Sequence, residues 1–149
     1  MVESDGQAAK ALIEALELAP HPEGGWYRET WRAAAPPGER AGGTAIYFLL
    51  EAHQRSHWHR VDADEHWFWH AGAPLVLSIA AGGGAAERMV LGPDIAAGQR
   101  PQGLVPAGHW QAAAPQGGWV LVSCTVVPGF AFSGFTLAPE GWSPDRWGA

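Results

Sequence analysis

The sequence predicts an all-β protein, an antiparallel sandwich or barrel, with one α-helix near its N-terminal end. Three observations carry that expectation. Short runs rich in branched and aromatic residues recur along the chain, bounded by turn signals such as "HPEGG", "PPGE", "AGGGA", "GPD" and "PQGG". Only one segment places apolar residues at helical spacing. No repeat or linker divides the 149 residues, so a single domain 1–149 large enough to bury its own core is expected.

In chain order, residues 7–18 form the helix: Ala9, Leu12, Ile13 and Leu16 share one face, Ser4 or Asp5 can cap the start, and Pro20 stops it. The β-rich body follows over about 24–138. Its strands are expected at Trp26–Trp31, Thr44–Leu50, His66–His70, Leu75–Ala80, Met89–Leu91, Gly103–Pro106, Trp119–Val127 and Phe130–Leu137. The Pro/Gly/Trp-rich tail 139–149 is expected over the surface or at a subunit boundary.

Composition narrows the classes of function. Apolar residues make up 47% and charged residues 16%, a globular balance. A net charge of −6 with no Lys/Arg cluster argues against a nucleic-acid surface. Cys124, the single cysteine, lies in the apolar run "WVLVSCTVV" and reads as a buried, inert thiol in a reducing compartment. The start "MVESDGQAAK" lacks the layout of a secretory signal, and no window is long and apolar enough for a membrane span. The expectation is a cytoplasmic protein without nucleic-acid or membrane partners. Nothing resembles a P-loop, a dinucleotide fingerprint or a nucleophile elbow.

The stretch "HWHRVDADEHWFWHAG" packs four of the seven histidines and three of the nine tryptophans into His57–Gly72. Regular strand alternation puts His57 and His59 on one face. "VDAD" reads as a turn, and Glu65, Trp67 and Trp69 share a face of the next strand, so Glu65 can converge on the two imidazoles. Two imidazoles and a carboxylate suit one divalent ion of Zn, Fe, Mn or Ni, with positions open for water or substrate. The plainer alternative is a pair of hydrogen-bonded histidines in a barrel wall.

The spacing His57-x-His59, Glu65, Gly72 resembles the first motif of the cupin superfamily, and "GLVPAGHWQ" resembles the second. The segments "HPEGGWYRETWR", "TAIYFLLE", "HRVDADEHWFWHAGAPL", "VPAGHWQAA" and "SCTVVPGFAFSGFTLA" together resemble the cupin family formerly catalogued as domain of unknown function 985, from about Leu18 to Glu140. The resemblance implies a double-stranded β-helix (a jelly-roll barrel), a homodimer, and kinship with the sugar-nucleotide epimerase branch of the cupins. It also implies a ligand set His57, His59, Glu65 and Gln111. The last departs from the superfamily pattern, which has histidine three residues after the glycine corresponding to Gly108. In this family the position of His57 is often another residue, whereas that of His59 is usually histidine.

Further candidates come from residue chemistry. A pocket tyrosine, Tyr27 or Tyr47, can act as general acid opposite a histidine base. Arg28 can bind a carboxylate or phosphate through its fork, or pair with a surface Glu. Trp67 and Trp69 can stack on a sugar ring or fill the barrel. Glu23 is expected to hydrogen-bond the backbone of its own turn. The first expectation for function is an isomerase- or epimerase-like enzyme acting on a carbohydrate or keto-acid compound. In it His59 is the base, Glu65 orients or polarises, Tyr27 or Tyr47 is the acid, and Arg28, Trp67, Trp69 and Gln111 bind substrate. The alternatives are a metal-dependent oxygenase or lyase using His57, His59, Glu65 and Gln111, and a module that binds a sugar or metabolite without turnover.

Overall fold

The structure, a computed structural model, describes residues 4–82 and 84–144. Its one α-helix, α1, spans Asp5–Ala15. Ser4 and Gln7 satisfy each other's backbone N–H groups in a capping box, so the helix starts two residues before the expected Gln7. It also stops earlier than Pro20 requires. Glu17 takes a left-handed conformation (φ 56°), and Leu18 N–H reaches back to Ile13 O at 2.9 Å, closing the last turn.

Eleven strands follow: β1 Ala19–Pro20, β2 Trp26–Arg32, β3 Thr44–Leu50, β4 Ser56–Val61, β5 Asp64–Gly72, β6 Leu75–Ala80, β7 Glu87–Leu91, β8 Gln102–Val105, β9 Trp110–Pro115, β10 Val120–Val127 and β11 Phe135–Leu137. They form two antiparallel sheets, ordered β1-β2-β3-β10-β5-β8 and β11-β4-β9-β6-β7. Successive strands from β3 to β6 and from β8 to β11 cross between the sheets, the winding of a jelly roll. One expected strand is shorter, and one strand lies where none was expected. The strand expected at Phe130–Leu137 is only Phe135–Leu137, with a short 3₁₀ turn over Phe132–Gly134 before it. The Ala-rich stretch Trp110–Pro115 is a central strand, held by β4 and β6 on either side rather than by its weak β propensity.

The core lies between the sheets, where Phe48, Trp67, Leu75, Leu77, Val120 and Val122 are buried. On the outer side of the larger sheet, Ala9, Leu12 and Ile13 of α1, with Leu16 just after it, cover Leu49, Trp26 and Tyr47. A third cluster, Val61, Ala63, Val126, Phe130 and Phe135, closes one end of the sandwich. The tail crosses the outer face of the smaller sheet, with Trp142 4.5 Å from Trp110, itself under Arg60. The rest of the expected tail, 145–149, lies outside the described residues. Among the described residues no helix is long and apolar enough to cross a membrane.

Candidate functional site

A cavity of about 360 Å³ opens at the end of the sandwich closed by the phenylalanine cluster. His21, Glu23, His59 and Glu65 line it, Glu29 and Arg32 also border it, and Tyr27, Ile46, Phe130, Phe132 and Phe135 supply much of its apolar wall.

Two β-bulges decide which side chains enter. On β4, Ser56 pairs with Ala113 and His59 with Gln111, so three steps on one strand oppose two on the other. The extra residue inverts the alternation: Ser56 and His59 turn inward and are buried, while His57 turns outward. The expected shared face of His57 and His59 is therefore corrected. His57 borders a groove on the outer side of the smaller sheet and contacts Pro139 O through Nε2 at 3.0 Å. On β2, Glu29 pairs with Ile46 and Trp31 with Ala45, and this bulge brings both Glu29 and Arg32 to the cavity and exposes Trp31.

The loop "HPEGG" supplies two residues the motif spacing did not reveal as site residues. Gly24 and Gly25 have φ of 109° and 77°, and a Cβ on Gly24 would stand 2.2 Å from Arg55 O. His57 N–H donates to Glu23 O at 2.8 Å. This close seam delivers the Glu23 carboxyl between the sheets, a role beyond the local turn bond expected of it. His21 was not foreseen at all; its signal was its place two residues before Glu23.

The hydrogen bonds fix the proton positions. A backbone carbonyl can only accept, so His59 Nδ1 donates to His57 O at 2.7 Å and Nε2 of the neutral ring carries a lone pair. Glu23 N–H donates to His21 Nδ1 at 3.1 Å, so that nitrogen also carries a lone pair. The Glu23 carboxyl stands between them, 3.3 Å from His21 Nδ1 and 3.5 Å from His59 Nε2, with Ser56 Oγ donating to its Oε2. A protonated Glu23 carboxyl has one O–H to offer, and the lone pair of His59 Nε2 is the one left facing it, because His21 Nδ1 already accepts from the Glu23 N–H. Burial pushes Glu23 up to about 8, while burial, aided by His59, pushes His21 down to about 4. These contacts join neutral partners and are not ion pairs. Burial likewise lowers His59, against the opposing pull of Glu65.

Glu65 is held from behind. Trp67 Nε1 donates to Gln111 Oε1 at 2.8 Å, and Gln111 Nε2 donates to Glu65 Oε1 at 2.9 Å. The Cys124 thiol also bonds Glu65, and burial raises Glu65 to about 7. Burial pushes the Cys124 thiol well up, which agrees with an inert thiol.

Of the residues singled out from sequence, Tyr27, His59 and Glu65 line the cavity. Four others do not. Tyr47 packs under α1. Arg28 points outward to Glu17 at 3.4 Å, because alternation places it opposite Tyr27. Trp67 is buried core, its indole N–H committed to Gln111 rather than to a ligand. Trp69 packs against the same core and donates to Ala73 O at 2.9 Å.

The expected metal-ligand set is also taken apart by this geometry. His57 faces away, and both ends of the Gln111 amide are committed, so the four groups do not converge. Among the described residues no three His, Cys, Asp or Glu side chains are grouped so as to hold a metal ion. The expected set therefore does not fit a cupin metal.

A family described as Cupin superfamily (DUF985) matches residues 10–138. A crystal structure of a protein from Shewanella oneidensis is similar over 93% of this chain and 85% of its own, at 42% identity and a TM-score of 0.83. A hypothetical protein from Leishmania major is similar over 87% of this chain and 86% of its own, at 34% identity and a TM-score of 0.80. Oxalate decarboxylase of Bacillus subtilis shares the fold alone: 12% identity and a TM-score of 0.60 over 79% of this chain and 29% of its own. No curated protein matches the chain.

Proposed function

The chain belongs to the cupin superfamily, in the family of domain of unknown function 985, and from that premise we propose an isomerase- or epimerase-like enzyme that works without a metal. It moves a proton on the carbon beside the carbonyl of a small carbohydrate-like or keto-acid compound.

One observation carries this reading: His59, its tautomer set by the His57 carbonyl, presents Nε2 at the cavity 3.5 Å from the Glu23 carboxyl, and burial favours the neutral form of both groups. A general base must be neutral near its working pH, and the lowered pKa of His59 meets that condition. His59 takes the proton from the carbon, and the electron pair moves onto the carbonyl oxygen as an enolate. When substrate binds, Glu23 O–H turns from His59 Nε2 to donate to that oxygen and stabilises the charge developing there. Tyr27 stands on the opposite sheet from His59. It returns a proton to the other face of the carbon, and solvent restores both groups. Glu65, held by Gln111, orients the substrate.

The test is hydrogen exchange by NMR in deuterium oxide against a panel of ketoses and 2-keto acids. Wild type is expected to exchange the proton beside the carbonyl of at least one compound. His59→Gln is expected to slow this by about 10²–10⁴-fold while binding persists, and His57→Gln is expected to leave it nearly unchanged. A compound that binds without exchanging would favour a binding module. Equal loss in both variants, with a metal lost from each, would establish the metal-dependent reading.

A further inference from the structure

We infer that Arg32 is the carboxylate-recognising residue of this cavity and that Glu29 occupies it internally until a ligand arrives, so the substrate is a small organic acid. The word "substrate" rests on the proton-transfer reading; the binding claim does not.

Arg32 is the one Lys or Arg among the described residues lining the cavity. A regular strand would direct it to the opposite side from Glu29; the β2 bulge turns both inward. Glu29 holds the guanidinium by two bonds, Nε to Oε2 at 3.2 Å and Nη2 to Oε1 at 2.5 Å, the planar match of Arg and carboxylate. Nη2 also donates to Phe130 O at 3.1 Å, which aims the fork toward the cavity mouth. Nη1 has no hydrogen-bond partner among the described residues. About half of the Arg32 side chain is exposed, 46%, and Glu29 is 36% exposed, so the pair is open to exchange by an incoming carboxylate.

Polarity along the cavity gives the ligand its direction. Deeper in, Glu23 meets only neutral partners and has no Lys or Arg beside it, so that end suits a carbonyl or hydroxyl. The charged end of the ligand belongs at Arg32. One arginine and about 360 Å³ match a monocarboxylate of a few carbons. They do not match a nucleotide-linked sugar, whose diphosphate needs several cations and more room.

The test is calorimetric titration of full-length protein with C3–C6 2-keto and 2-hydroxy acids and with their primary amides. Wild type is expected to prefer acid over amide by about tenfold or more, the size of a charged hydrogen bond. Glu29→Gln is expected to tighten acid binding by about three- to fivefold, the size of a half-exposed ion pair removed, and to leave amide binding unchanged. Arg32→Gln should abolish the preference, and Arg32→Lys should retain part of it. If amides bind wild type as well as acids do, or if Glu29→Gln weakens acid binding, the assignment is overturned. Acid preference without hydrogen exchange would leave this inference standing and remove the proton-transfer reading.

Discussion

Glu23 is where residue chemistry most directly shapes behaviour in solution. Burial raises it to about 8 and Glu65 to about 7, both from 4.5. The folded chain keeps protons that the unfolded chain releases above 4.5, so the stability these groups contribute is full below that pH. It is lost as pH climbs to about 7 for Glu65 and about 8 for Glu23. His21, lowered to about 4 from 6.5, and His59, also lowered, act in the other sense: their contribution is present above 6.5 and lost as pH falls. Between 4.5 and 6.5 the two trends oppose each other. Above 6.5 only the carboxyls still change. Thermal melts are therefore expected to show Tm falling from pH 6.5 to 8, and Glu23→Gln is expected to flatten much of that fall. A wild-type Tm that rises over this window would mean that Glu23 is ionised in the folded chain.

At the scale of elements, the turn Pro20–Trp26 and the two bulges place the site. Gly24 is the sensitive point, since a Cβ there meets a backbone carbonyl that cannot step aside. Gly24→Ala is expected to cost more than about 1 kcal/mol in urea unfolding. Gly6→Ala, in α1 with nothing within 4 Å of the new Cβ, is expected to add about 0.5–1 kcal/mol. A Gly24→Ala protein as stable as wild type would show that the turn relaxes and does not deliver Glu23 rigidly. The bulges also explain the reach of the sequence reading. Alternation correctly faced Glu65 inward and put Arg28 opposite Tyr27, because β5 near Glu65 and β2 near Tyr27 are regular. It mistook His57 and passed over Arg32, because each lies on the far side of an inserted residue. Periodicity carries no mark of a bulge, so neither inversion was legible beforehand.

For the whole molecule, the larger sheet ends on β2, which the two-residue β1 covers only at Trp26 and Tyr27. The remaining edge, with Trp31 55% exposed, is open for pairing. A homodimer across this edge is expected, burying more than about 1,000 Å², and light scattering at micromolar concentration should give twice the 15.8 kDa chain mass. A monomer mass would rule it out.

What the amino-acid sequence determined by itself is the architecture: one capped helix, short strands between turn signals, a cupin barrel, and a candidate site near His59 and Glu65. These follow from local propensity, period-two alternation and motif spacing, all of which are properties of neighbours in the chain. Only the tertiary structure decided the composition of the site. Glu23 reaches His59 because a glycine turn packs against the start of β4. Gln111 braces Glu65 because Trp67 holds its carbonyl end. Arg32 enters the cavity only because β2 takes one residue more than its partner. Each outcome depends on how one strand registers against another, and register is set by packing between segments distant in the chain.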